Sequence, residues 1–281
     1  MFRYTKWTLL REIITIIAAL FMLLPFYILI TTSLKSGSEA VNSNALALPA
    51  TPTFSNFVQL LQPTANSGGA TILVGLLNSV LITAGSIVLL IIVGSLCAYV
   101  IARRTARWSR TAYYIFLIAI TLPAQLGVVP LYIGAKNLGL TGSIIGMIII
   151  YTGTLCPLSV FLYAGFFRTV PIEYEEAAII DGASRIQVFT RVVFPLMSPA
   201  TGTVAIFIGL IVWNDFFTSL IFLNGSGNAT LPVIMYNYVG SLVSQWNLIF
   251  AVVIVSMIPI LAFYLFAQKK FIQGFSGGLK A

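Results

Sequence analysis

Seven carboxylates, two cysteines and no histidine bound the chemistry open to this chain. Histidine is the commonest zinc ligand and general base, so its absence removes histidine-based metal clusters and Ser/His/Asp catalysis. Cys97 and Cys156 sit inside apolar runs and read as small packing residues. No G-x-x-x-x-G-K-[ST] phosphate loop occurs, so the chain does not hydrolyse ATP by that route. Four of the carboxylates, Glu173, Glu175, Glu176 and Asp181, fall within nine residues. A catalytic acid pair is one reading of such a group. A surface that docks another protein suits it better, because it stands on a polar island between apolar runs with no pocket-forming motif beside it.

The island, Val170 to Pro199, has the local chemistry of two short helices around a break. Pro171 suits a first helical position, where its missing N–H would be unpaired anyway. Glu173, Glu175 and Glu176 complement the positive end of the helix dipole. Gly182 supplies the left-handed conformation of a C-terminal cap. Ser184 and Gln187 have the S-x-x-Q spacing of a capping box and start a second helix. Ile186, Phe189 and Val193 continue an apolar stripe until Pro195 interrupts it.

Across the whole chain, 59% of residues are hydrophobic and 8% charged, against about 25% charged in soluble domains. The expectation is an all-α integral membrane protein. Six apolar runs are long enough to span a bilayer, at about 10–33, 72–102, 111–134, 143–167, 199–223 and 247–267. The N-terminus, with Arg3, Lys6 and Arg11 before an apolar run, superficially resembles a signal peptide. The run from about Ile13 to Ile30 is longer than a signal core and lacks a small-x-small cleavage site, so it reads as a retained first helix.

The net charge of +8 does not form the single patch that nucleic acid would need. Basic residues instead recur at the ends of the apolar runs. With a cytoplasmic N-terminus, all of the 15 except Lys35 and Lys136 lie inside, among them Arg103, Arg104, Arg107, Arg110, Arg168, Arg185 and Arg191. Both termini and the acidic island are therefore expected in the cytoplasm of a multi-pass protein of a bacterial or archaeal cell membrane.

Three parts are expected: residues 1–70 as a first span and external loop, 71–267 as a five-span core, and 268–281 as a cytoplasmic tail. The first external loop is rich in Ser, Thr, Asn, Pro and Gly and predicts little regular structure beyond a short helix at Phe54–Leu61. Asn78 and Ser79, near the outer end of the second span, either hydrogen-bond to a neighbouring helix or face a pathway. Pro123, Gln125 and Pro130 in the third span, and Gly153, Cys156 and Pro157 in the fourth, mark either helix breaks of the kind that line cavities in transporters or kinks that serve packing. Trp213-Asn214-Asp215 places an acid in the outer half of the fifth predicted span. That carboxylate is either part of a functional site or paired with a neighbouring helix. Gly274, Gly277 and Gly278 predict an irregular tail.

Glu176-Ala177-Ala178, Gly182 four residues on, and Phe194-Pro195 together resemble the EAA motif of the membrane subunits of ABC importers. Val193 and Phe194 stand where the pattern has Ile and Leu, and both stay apolar. Thr32-Ser33-Leu34-Lys35, Leu77-Asn78-Ser79, Ile179-Ile180-Asp181-Gly182-Ala183-Ser184, Trp213-Asn214-Asp215-Phe216 and Phe271-Ile272-Gln273-Gly274 are similar to stretches of carbohydrate-importer permeases of the maltose type. The resemblance covers nearly the whole chain. It implies a type I ABC importer permease fold and a transport subunit that is not itself an enzyme. It further implies a second homologous permease, two ATPase subunits that use ATP and magnesium, and an extracytoplasmic sugar-binding protein, with no cofactor or metal on this chain. The loop at about 170–197 would be the coupling helix, with Glu176 meeting a basic ATPase side chain, Gly182 forming the corner, and Ala177, Ala178, Asp181 and Pro195 completing the motif. Asn78, Trp213, Asn214 and Asp215 would border the substrate pathway, and Gln273 and Gly274 would reach the ATPase. An importer of another solute, such as a glycerol phosphate or a polyol, stays open. So does a channel or membrane enzyme whose charged loop is only an amphipathic surface helix.

Overall fold

The computed structural model describes residues 5–63, 69–239 and 244–277, with the side chains of Ala124, 266–267 and 269–277 outside the description. Among the described residues the structure is helical throughout and contains no strand. Four helices are long and apolar enough to cross a membrane by themselves: α1 (Lys6–Ser33), α4 (Ile72–Arg103), α7 (Ile144–Phe167) and the first part of α14 (Trp246–Gly277). Two short helices, α2 (Gly37–Asn42) and α3 (Ser55–Gln59), lie between the first pair. Side-chain caps mark the helix starts, with Thr5 and Thr8 forming a capping box on α1, Thr71 capping α4 and Ser143 capping α7.

The third and fifth predicted spans are not single rods. The third divides into α5 (Arg107–Thr121) and α6 (Val128–Asn137), joined through a short 3-10 turn and bent by 93°. Pro123 is the cause, since the residue before a proline is pushed out of the helical region, and Leu122 is extended with ψ 129°. The fifth divides into α11 (Ser198–Asn214) and α12 (Phe217–Leu223), because Asp215 leaves the helix with ψ 110°. Its Oδ1 accepts a 3.2 Å bond from the Thr218 backbone N–H, so the aspartate competes with the helix it would otherwise continue. Pro25, Pro157 and Pro259 stay within continuous helix.

Between α7 and α11 come α8 (Glu173–Ile180), α9 (Arg185–Gln187), a π-helical turn over Val188–Val193 and α10 (Phe194–Leu196). The run Arg185–Leu196 meets α11 at 74°. After α12, α13 (Leu231–Tyr236) leads to α14. Where the tail glycines predict an irregular end, α14 continues helically to Gly277. A helix already nucleated needs one added bond per residue to propagate, and that offsets the unfavourable propensity of glycine.

The central packing joins α4, α7 and α11 through Leu90, Ala98, Val160, Ala164, Ala200 and Val204, all fully buried. Close approach rests on small residues. A Cβ on Gly94 would lie 2.0 Å from Ser159 Oγ, and that hydroxyl donates a 3.0 Å bond to the Leu90 carbonyl. At the end opposite the arginines, a polar clasp ties three segments together. Asn56 Nδ2 donates to the Ser33 and Lys35 carbonyls at 2.7 and 2.8 Å, and its Oδ1 accepts from Asn247 at 2.7 Å. Lys35 is buried, with its Nζ donating to Ser43 Oγ and the Asn44 carbonyl, both at 2.9 Å.

Candidate functional site

The acidic island adopts most of the geometry its residue types predict, except that Pro171 stands before the N-cap Ile172 and outside the first turn. Helix α8 begins at Glu173, two residues after Pro171, with Glu173, Glu175 and Glu176 in its first turn. Asp181 caps its C-terminus and Gly182 turns left-handed at φ +85°. The Gly182 N–H bonds to the Ile179 carbonyl and the Ala183 N–H to the Ala178 carbonyl, both at 3.0 Å, which satisfies the last carbonyls of the helix. The capping box closes with Ser184 N–H donating to Gln187 Oε1 at 2.8 Å and Gln187 N–H to Ser184 Oγ at 3.4 Å. The stripe that runs into Pro195 widens into the π turn, where the Phe194 N–H reaches the Phe189 carbonyl five residues back. A π turn next to proline accommodates the lost donor without breaking the rod.

The four acids have different surroundings. Glu173, Glu176 and Asp181 are exposed, as are Ala177, Gly182 and Pro195, while Ala178 is half-buried against the core. Glu175 turns inward and is buried. Its Oε1 accepts a 2.6 Å bond from Arg103 Nε and its Oε2 a 2.7 Å bond from the Tyr99 hydroxyl, while Arg103 Nη2 donates to the Val170 carbonyl at 2.9 Å. Glu175 therefore does more than complement the helix dipole: it fastens α8 to α4. Tyr99 and Arg103 are four residues apart and so share one face of α4, where both reach the same carboxylate. The Tyr99 ring lies between Phe167 at 5.6 Å and Phe189 at 5.1 Å, so α4, α7 and the π turn lock beneath the loop. On the outer surface Ile180 is 84% and Ile186 76% exposed, beside the unpaired acids. Ile186 thus leaves the inward stripe that Phe189 and Val193 keep.

At the far end of α11, the break at Asp215 borders a cavity of about 350 Å³ with polar lining from Gln125, Tyr151, Thr154, Asn214, Asp215 and Thr218. The Tyr151 hydroxyl donates to Asp215 Oδ2 at 2.9 Å and lies 3.2 Å from Ser219 Oγ. Asn214 donates to the Leu210 carbonyl at 2.8 Å and stays exposed. Among the described residues its lining offers amide, hydroxyl and carboxylate groups and no cation. Asp215 is thus paired to a neighbouring helix through Tyr151, and it also lines the cavity. Tyr151 and Thr154 went unsingled in the sequence, since nothing local distinguishes them from other polar residues in an apolar run.

Asn78 and Trp213 pack elsewhere. Asn78 Nδ2 donates to the Ala229 carbonyl at 3.2 Å, and the neighbouring Ser79 Oγ accepts from the Leu231 N–H at 2.9 Å. The pair tethers the segment that leads into α13. Trp213 is buried with Leu231, Ile234 and Leu248, next to a smaller apolar cavity of about 200 Å³. Gln273 and Gly274 lie in the helical backbone of α14, with side chains outside the described residues. Among the described residues no three His, Cys, Asp or Glu gather as a metal site.

Residues 90–277 match the family of binding-protein-dependent transport system inner membrane components. The chain is 37% identical over 271 residues to the melibiose/raffinose/stachyose import permease protein MelC of Bacillus subtilis, covering 95% of both chains. It is 31% identical over 264 residues to the probable starch degradation products transport system permease protein AmyC of Thermoanaerobacterium thermosulfurigenes, covering 94% of this chain and 93% of that one. Its fold is similar to a chain in the crystal structure of a bacterial ABC transporter involved in import of the acidic polysaccharide alginate. That match has a TM-score of 0.78 at 22% identity and covers 96% of this chain and 100% of the other.

Proposed function

This chain belongs to the binding-protein-dependent transport system inner membrane components, and we propose that it is the permease of an ABC importer for neutral sugars or oligosaccharides. It crosses the membrane several times and acts as a transport subunit, not as an enzyme. In our reading both termini and the acidic loop face the cytoplasm. There the loop docks on one of two ATPase subunits that use ATP and magnesium. A second, homologous permease closes the cavity at Asp215 into a pathway, and an extracytoplasmic binding protein delivers the solute.

The observation that carries this reading is the division of labour within the loop. Glu175 fastens the loop to α4, while Glu176 and Asp181 stay exposed and, among the described residues, form no ion pair. A partner pushing on α8 therefore moves α4 through Arg103 and Tyr99, and α11 through the π turn. Helix α11 has 17 residues, about 25 Å at 1.5 Å per residue, and ends at Asp215. The loop and the cavity are thus the two ends of one lever, the arrangement a gate driven from one side of the membrane requires.

Two measurements test it. The chain should co-purify with ATPase subunits, and hydrolysis by the assembly should rise when a sugar-loaded binding protein is added. Glu176→Lys should abolish uptake while insertion and folding are retained, because the side chain is an exposed docking contact. Normal uptake by that variant would sink the coupling assignment, and absence of any ATPase partner would favour a channel or membrane enzyme. Stimulation by a polyol- or glycerol-phosphate-loaded binding protein, and not by sugars, would replace the cargo while leaving the machine intact.

A further inference from the structure

Helices α4, α5 and α7 enclose a cleft of about 270 Å³ at their arginine-bearing ends, lined among others by Arg104, Ser109, Arg110, Tyr113, Tyr114 and Arg168. We propose that this cleft binds the phosphate of an anionic phospholipid headgroup. The inference stands on the membrane-spanning fold alone and needs neither the coupling role nor the cargo proposed above.

The charge in the cleft has no counterpart in the protein. The one side-chain ion pair among the described residues joins Arg103 to Glu175, and it leaves Arg104, Arg110 and Arg168 without a carboxylate. Arg168 is instead held over the Tyr113 ring, its guanidinium carbon 4.6 Å from the centroid. Helix α5 starts here with no side-chain cap on Ala106 and no acid in its first turn. Arg107 and Arg110 occupy that turn, where the helix dipole already presents its positive end and the first N–H groups are without helical partners. Local chemistry at this helix start is therefore unfavourable until an anion arrives, and guanidinium forks match phosphate oxygens well. Keeping basic residues on one side of a membrane explains their presence but not their convergence on one cleft.

The surroundings point to a lipid as the source of that phosphate. Tyr114 lines the cleft and is more than half exposed, as is Trp108 in the first turn of the same helix, the placement of interfacial aromatics. Further along α5, Ile115 and Ile118 are also exposed, so an apolar surface continues from the cleft in the direction acyl chains would take. A soluble phosphate would have no use for that surface.

The test uses the complete importer assembly, purified in a neutral detergent and stripped of lipid. Phosphatidylglycerol should be retained in native mass spectrometry in preference to phosphatidylcholine. A photoactivatable phosphatidylglycerol should label the segment around 107–115. Each arginine changed to glutamine among Arg104, Arg110 and Arg168 should lower phosphatidylglycerol affinity roughly fivefold, the worth of one basic residue near an anionic surface. The triple change to lysine, which preserves charge and insertion, should retain most of the binding. Equal retention of the two lipids, or labelling elsewhere, would overturn the proposal without any variant being made. Inorganic phosphate binding as tightly as the lipid would make the ligand a soluble anion. Protection of these arginines from phenylglyoxal in the lipid-free assembly would show a protein partner covering the cleft. Either result would refute a lipid site.

Discussion

Glutamine at position 175 separates the brace beneath the loop from the acids on its surface. Glu175 accepts two short bonds, 2.6 Å from Arg103 and 2.7 Å from Tyr99, with side chains only 16% (Arg103) and 9% (Glu175) exposed. Glutamine keeps one carbonyl oxygen, so its amide nitrogen must face either a guanidinium or a phenol. A hydrogen bond to a charged group contributes about 1.5–3 kcal/mol. Arg103 retains its bond to the Val170 carbonyl. The net loss expected for Glu175→Gln is therefore about 2 kcal/mol, expressed as easier local opening of α8. At 1.4 kcal/mol per decade, amide exchange across Glu173–Ile180 should quicken roughly 30-fold. Glu176→Gln should leave exchange there unchanged. Combined with Arg103→Gln, the double variant should show a coupling energy of about 1–2 kcal/mol. Exchange within threefold of the parent, or strictly additive effects, would refute the brace.

Three further outcomes follow from the same geometry. Gly182→Ala should cost about 1–2 kcal/mol and lower the uptake obtained per ATP; φ is +85° but nothing lies within 4 Å of the new Cβ, so backbone strain is the only source, and an unchanged coupling ratio would contradict it. Tyr151→Phe removes a 2.9 Å donor to Asp215, and Asp215→Asn removes the charge; each should raise the transport KM several-fold with little change in thermal stability, whereas unchanged kinetics in both would take the cavity out of the pathway. Asn56→Ala deletes three buried hydrogen bonds in the clasp and should cost about 2–3 kcal/mol in a thermal unfolding series while uptake persists below the melting transition; loss of uptake with stability intact would give the clasp a role in transport instead.

What local chemistry dictates was legible in the chain. Apolar run lengths and the placement of arginines announced an all-helical membrane protein, because a bilayer admits few other ways to satisfy a backbone. The glycine corner and the Ser184–Gln187 box were readable because each is a bargain struck within a few residues. The EAA spacing marked the loop for the same reason. The bends at Leu122 and Asp215 were half visible: Pro123 forbids helix before it, whereas Asp215 leaves the helix with Tyr151 in place to receive its carboxylate.

The opening acids show where that legibility stops. Neighbouring glutamates have identical chemistry, and the roughly 100° between them on a helix decides nothing until something packs on one side. Tertiary structure brought Arg103 and Tyr99, more than 70 residues away, beneath Glu175 and left Glu176 outside. Asp215 met Tyr151 across 64 residues, and Asn78 turned from an expected pathway to a backbone carbonyl 151 residues distant. Contacts of such separation depend on which helix faces meet. Periodicity could not choose those faces here, because the spans are apolar on all sides. The sequence alone determined what the loop is made of, and packing decided which of its acids holds it and which stands exposed.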